Sequence, residues 1–197
     1  MDSGTTVRLE PHEVALLRGG PRAAVTVAVL ALYLRGAADA GRPGTVRVSG
    51  ELSGAGHALS ALDQAVYAAL QQPAGIRELS GRPAVRQEVS AVRAGLVAAG
   101  LLRALPPRRT RAARHALAAL RAQHPLPARR KGLPTADALF RVALHGDPAL
   151  AALAPRFAMR AGLTARVEVA DTRPLRHSAR NPGGAGWGCG GGDGGPG

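Results

Sequence analysis

Arg82, Arg86 and Arg93 are the residues whose type and spacing best suit a definite chemistry, the gripping of phosphate. At roughly 100° per residue, all three project within about 40° of one another from a single helix. A guanidinium forks onto a phosphate or onto the edge of guanine, so such a row suits a recognition helix. Arg108, Arg109, Arg111 and Arg114 follow at once and suit contacts along a nucleic-acid backbone. The same row also fits a solvated helix flank. It borders the apolar stripe Val85, Val89, Val92 and Leu96 instead of opposing it, and Glu88 lies on the other side.

The remaining reactive residue types do not combine. His12, His57, His115, His124, His145 and His177 have no His or Cys partner at a ligand spacing such as HxxxH or CxxC, so no metal is expected. Ser60 and Ser80 sit in no nucleophile elbow, and the acids are too scattered to suggest a carboxylate pair. Gly19-Gly20-Pro21 lacks the Gly-Lys-Ser/Thr of a phosphate cradle and reads as a helix–helix corner. Gly184, Gly186 and Gly188 approach a dinucleotide fingerprint, but no strand precedes them and no helix follows. Cys189, the single cysteine, stands beside Gly188 and Trp187 in a glycine-rich stretch. It reads as an inert thiol, a modification or intermolecular disulfide site, or a metal ligand in an oligomer. No catalytic residue, cofactor or small-molecule ligand is expected, and the chain reads as non-enzymatic.

Charge sharpens the picture. Of the net +13, residues 1–100 contribute +2 and residues 101–197 contribute +11. Arg103 to Lys131 holds nine basic residues and no acid. Such a block suits an anionic partner, either nucleic acid or a membrane surface. Lys131 is the sole lysine against twenty-five arginines, a bias that also resembles the codon usage of a GC-rich genome.

These residues need a scaffold, and its composition points to helices. One Trp, two Tyr and two Phe leave a core of Ala, Val and Leu, and alanine is the best helix former. Pro11 opens a first helix, Gly19-Gly20 ends it, and Pro21 opens a second. Val25, Val29 and Leu32 form one stripe of that second helix, and Val27, Leu30 and Leu34 another, so it is apolar nearly all round. A strand is predicted over 45–49. Ser60 and Asp63 have capping-box spacing ahead of a helix bearing Leu62, Val66 and Leu70. A brief helix over 74–79, a long one over 82–99 and a strand from 101 complete a winged-helix order. A plain helical bundle fits the same pattern. Helices follow over 110–123 and 135–145. Asp147-Pro148, as N-cap and first helical residue, opens another, which Pro155 kinks or splits. ARVEV at 165–169 alternates like an edge strand. Residues 181–197 contain ten glycines and predict disorder.

Leu9 to Gly36 resembles the opening of an uncharacterised actinobacterial family labelled only as "domain-containing membrane protein". The residues that carry the resemblance are Glu13-Val14-Ala15, Leu17, Gly19-Gly20-Pro21, Arg22 and Arg35-Gly36. VSAVRAGLVAAGLL, residues 89–102, looks like that family's closing helix, and the glycine-rich tail around Cys189 is also similar. The resemblance implies a structural role for Glu13, Gly19, Gly20 and Pro21, and it brings no catalytic or binding residue. Members often carry transmembrane helices and several tail cysteines. Here the longest apolar stretch, Ala23 to Leu34, has twelve residues against the about 20 a bilayer requires, and there is one cysteine.

The chain is therefore expected to be mainly α, with tandem winged-helix-like modules over 8–57 and 58–107. A basic helical extension over 108–170 and a disordered tail over 171–197 follow. With no signal peptide visible in MDSGTTVRLE, a cytoplasmic location is expected, peripheral to a membrane as the variant. The leading functional expectation is a protein-interaction module. The alternatives are a winged-helix DNA-binding regulator using Arg82, Arg86, Arg93, Arg108, Arg109 and Arg111, and attachment to an anionic membrane surface through the basic block.

Overall fold

The computed structural model describes residues 9–51, 59–104, 108–126 and 133–164. The described residues belong to one compact unit, Met1–Arg166, set off from a second, Val167–Gly197. The second lies outside the described residues, as do Cys189, the tail expected from 171 and the strand expected over 165–169.

The longest element, α1 (Pro11–Leu34), carries the centre of the fold. Glu10 caps it in a reciprocal box with Glu13, whose Oε2 accepts from the Glu10 amide at 2.8 Å. Pro11 stands where a missing N–H costs nothing. The corner expected at Gly19-Gly20-Pro21 is present: Gly20 has φ 77° and ψ −165°, which breaks the helix into two arms. Val14 to Leu17 of the first arm are buried, and the second arm buries Ala23, Ala24, Val25 and every residue from Val27 to Leu32. Each fully buried Val or Leu is worth roughly 1.5–3 kcal/mol, which makes this arm the main apolar contribution to the core. By length and composition α1 is long and apolar enough to cross a membrane, its most apolar window having a mean hydropathy of 1.4. The expectation that no segment would qualify counted only the arm after the corner. Two thirds of that window is buried inside the fold.

After α1 the chain forms a hairpin of β1 (Ala38–Ala40) and β2 (Val46–Val48). They pair antiparallel, with Ala38 opposite Val48 and Asp39 opposite Arg47. β2 lies within the strand read from the sequence. β1 was not expected, because Ala-Asp-Ala has no strand propensity. Val46 also exchanges two backbone hydrogen bonds with Ala74, 2.9 and 3.1 Å, which ties the hairpin to the next helices.

Those helices are α2 (Ala61–Ala69), α3 (Ile76–Gly81) and α4 (Pro83–Ala98). The Ser60–Asp63 capping box of α2 forms as expected. Arg82, the residue before Pro83, takes an extended conformation (φ −65°, ψ 136°), as the proline ring requires, and so separates α3 from α4. α4 ends in a Schellman turn at Gly100 (φ 68°), with Leu101 N donating to Leu96 O at 2.9 Å. Leu102 then pairs antiparallel with Arg109. Helix, short helix, long helix and a single β-bridge follow one another, the helical order of a winged helix without the paired strands of its wing.

Thr110 caps α5 (Arg111–Gln123) and accepts from Ala113 N at 3.2 Å. α6 (Thr135–His145), α7 (Asp147–Leu153) and α8 (Pro155–Arg160) complete the described chain, split at Pro155 as expected. One expectation is corrected. Asp147 is the first helical residue of α7, and Gly146 is its N-cap. The positive φ of Gly146, 70°, turns the chain between α6 and α7, and only glycine enters that region freely.

One core unites these elements. α1 packs most extensively on α6 and next on α2, α3 and α4. Apolar contact therefore runs from the first expected module through the second into the basic extension. Val29, fully buried, and Val89, 9% exposed, belong to the same cluster. Tyr33 of α1 stacks on Phe157 of α8, centroids 3.9 Å apart. Among the described residues the protein is mainly helical, with eight helices and one two-stranded sheet.

Candidate anion-binding cleft

The basic residues do not spread evenly over this body. The Schellman turn and the Leu102–Arg109 pair fold the chain back from the end of α4 toward the start of α5. That return places Arg93 of α4, Arg108 and Arg109 of the turn and Arg114 of α5 around one cleft of about 650 Å³. Leu16, Leu17 and Gly20 of α1 and Leu102 complete its lining, Leu16 and Leu17 being buried in the core. No carboxylate is among the lining residues.

Several observations fix the turn that holds the arginines. Arg103 N donates to Arg108 O at 2.9 Å, Thr110 N to Leu101 O at 3.1 Å, and the Thr110 hydroxyl to the same carbonyl at 3.2 Å. The four guanidiniums are spent on nothing else: among the described residues none of them makes a side-chain hydrogen bond or ion pair. Four like charges around one concavity repel one another, so an anion entering it relieves that repulsion as well as pairing. Such a group takes an anion well. The lining residues of the cleft are arginine, leucine and glycine alone.

The structure treats the expected site residues unequally. Arg93, Arg108 and Arg109 come together. Arg86 lies two turns before Arg93 on the same exposed flank of α4, outside the cleft. Arg111 is turned to its own helix, its Nε 3.4 Å from His115 Nε2. Arg82 is committed to structure. It donates to Ala69 O at 2.6 Å and pairs with Glu78 at 2.9 Å, and its extended backbone puts it off the helix with which it was expected to align. Glu13 closes the α1 capping box, and Gly19, Gly20 and Pro21 form the corner. Cys189 lies outside the described residues.

Histidine chemistry is equally accounted for. His124 stacks on Phe140 and lies 3.8 Å from Asp137, and His145 Nε2 is 2.8 Å from His124 O. His57 and His177 lie outside the described residues. Among the described residues no three His, Cys, Asp or Glu side chains converge as a metal site requires.

Sequence reading missed Arg18. Its Nε donates to Ala143 O at 2.7 Å, locking the first arm of α1 onto α6. The guanidinium lies against Gly146, where a Cβ would stand 2.7 Å from Nη1. Burial lowers its proton affinity, the Asp147 carboxylate opposes that, and Arg121 adds to it. Arg18 also borders a smaller cleft of about 240 Å³ with Arg22, Thr26 and Asp147. Nothing local in the sequence marks it, because its acceptor lies 125 residues away. Asp63, the buried member of the α2 cap, is held above the usual carboxylate range. Burial is the main cause, opposed by hydrogen bonds from Ser60 and by Arg35, 3.7 Å away.

No family model, no curated protein and no solved structure matches the chain.

Proposed function

We propose that this protein is a non-enzymatic nucleic-acid-binding module that seats duplex phosphates on the arginines beside α4. One observation carries the reading. Arg93, Arg108, Arg109 and Arg114, from three different elements, face one cleft that no carboxylate lines. The winged-helix order of α2, α3, α4 and the Leu102–Arg109 pair supports it, since that order presents the third helix beside a turn. Arg86 extends the positive edge along α4. Contacts of this kind grip the backbone and read little sequence, so binding is sequence-tolerant.

A second reading, a protein-interaction module, has its own support. Ala84, Gln87, Ala91, Ala94 and Ala98 make an exposed, uncharged face along α4. The readings separate in one comparison. Fluorescence anisotropy of a short labelled duplex at low salt is measured with the wild type and with Arg93→Gln/Arg108→Gln/Arg109→Gln/Arg114→Gln. The proposal expects saturable binding by the wild type and a loss of about ten-fold or more in the variant. Binding that survives the variant, or no duplex binding at all, contradicts it. Pelleting with phosphatidylserine vesicles in place of duplex binding moves the arginines to a membrane role. Neither result leaves the α4 face as a protein contact.

A further inference from the structure

One hydroxyl beside the arginines of α4 has no use in the fold. Of the described serines, Ser49 donates to Gly36 O at 3.1 Å, Ser60 caps α2, and Ser80 donates to Ile76 O at 2.7 Å, one turn back. Thr26, also inside a helix, bonds Arg22 O in the same way at 2.9 Å. Ser90 is exposed in the middle of α4, and among the described residues its hydroxyl makes no hydrogen bond. Alanine would serve the helix better at that place, since serine has the lower helix propensity.

The surroundings of Ser90 are cationic. Arg86 lies four residues before it and Arg93 three after, and both are exposed. At roughly 100° per residue the three lie within about 60° of one another on one flank. Such spacings leave about 5–6 Å between Cβ atoms. Neither guanidinium makes a hydrogen bond or ion pair among the described residues. The nearest acid in sequence, Glu88, projects from the far side of the helix, about 160° from Ser90.

We propose that Ser90 is a phosphorylation site whose phosphate is captured by Arg86 and Arg93. The donor is ATP on a protein serine kinase. Ser90 Oγ bonds the γ-phosphorus, the bond from that phosphorus to the β–γ bridging oxygen breaks, ADP leaves, and the hydroxyl proton passes to a base of the kinase. The product carries about −1.5 to −2 charge at pH 7 and three acceptor oxygens, enough to engage both guanidiniums. A kinase with an acidic substrate groove matches the flanking arginines. Gly95, an exposed glycine inside α4, weakens the helix one turn beyond the site and eases its local opening into such a groove. One consequence rests on the duplex reading. Arg93, once held by the phosphate, no longer answers duplex phosphates, and the new charge repels them, so modification switches duplex binding off.

The test begins with the full wild-type chain, treated with an arginine-directed serine kinase and Mg-ATP and then digested with trypsin. The peptide Gln87 to Arg93 contains Ser90 as its one hydroxyl and gains the mass of one phosphoryl group. A peptide that stays unmodified overturns the site, and this measurement needs no variant to fold. Phosphorus-31 NMR of the modified chain then follows the second ionisation of the phosphate. Capture favours the dianion, so ionisation falls below the about 6 of a phosphoserine without partners. In Arg86→Gln/Arg93→Gln, with phosphoserine inserted at 90 during translation, it returns to that value. Ionisation at the uncaptured value in the wild-type background overturns the capture. Duplex affinity at low salt falls about ten-fold or more on modification, while Ser90→Ala stays within about two-fold of wild type. Equal affinity before and after modification overturns the regulation. An unmodified chain that binds no duplex overturns the duplex reading and leaves the capture, which the NMR titration reads without nucleic acid.

Discussion

Gly20→Ala isolates the cost of the corner in α1. At φ 77° and ψ −165°, with no heavy atom within 4 Å of the place a Cβ would occupy, the substitution meets no steric neighbour. Its whole cost is conformational. An L side chain held in so sparse a region costs on the order of 1–3 kcal/mol. The loss of glycine's freedom in the unfolded chain returns about 0.4–1 kcal/mol of that. The net expectation spans about 0–2.6 kcal/mol and centres on a loss of about 1.3 kcal/mol, and at about 2–4 °C per kcal/mol for a chain of this size that centre lowers Tm by roughly 3–5 °C. Gly19→Ala is the control. Gly19 keeps helical geometry, and its new Cβ would lie 3.0 Å from Ala23 Cβ. A helix-propensity gain of about 1 kcal/mol is set against that tight contact, for a change near zero. Urea unfolding followed by far-ultraviolet circular dichroism measures both. A Gly20→Ala midpoint equal to wild type, or a larger loss in Gly19→Ala, refutes the reasoning. Loss of duplex affinity without loss of stability would make the corner a ligand loop instead.

Other expectations follow from single contacts. Asp63 is a carboxyl raised by burial, so the folded chain holds its proton more tightly than the unfolded chain does. Its contribution to stability therefore improves as pH falls from the raised folded value toward the ordinary aspartate value, and is at its worst above both. Asp63→Asn keeps an oxygen for the Ser60 amide and removes that dependence. Urea midpoints across mildly acidic pH should rise less in the variant than in wild type as pH falls, and parallel curves would contradict this. Arg82→Ala removes a charged donor from Ala69 O and a partner from Glu78, a loss of about 1–2 kcal/mol for a side chain only 23% exposed. Its duplex affinity should stay within about two-fold of wild type, since one distant charge is screened. A loss as large as that of the cleft variant would return Arg82 to the binding row. Leu30→Ala empties a fully buried position at the centre of α1 and should cost about 2–5 kcal/mol by urea unfolding. A cost below that would mean that α1 is not the centre of the core.

Local chemistry made the helices legible. Pro11 marks a start, Pro155 interrupts a helix, and the Ser60–Asp63 spacing announced a cap that forms. β1 escaped because Ala-Asp-Ala carries no strand signal of its own, although Ala38 and Ala40 are buried in the core once the hairpin forms. The site was legible in part for a similar reason. Arg93, Arg108 and Arg109 lie close in sequence, the last two within the acid-free block Arg103 to Lys131. The lining residues Leu16, Leu17 and Gly20 come from more than seventy residues away and have no local signature. Arg82 was misjudged because helical projection assumes helical backbone, and Pro83 forbids it at the preceding residue.

The salt dependence of duplex binding tests the central claim most directly. Each phosphate neutralised by an arginine adds about −0.9 to the slope of log K against log salt, so the four cleft arginines predict a slope of about −4. Arg93→Gln/Arg109→Gln should flatten it by about 2. A slope near zero in wild type, or one that the double substitution leaves unchanged, would contradict the account.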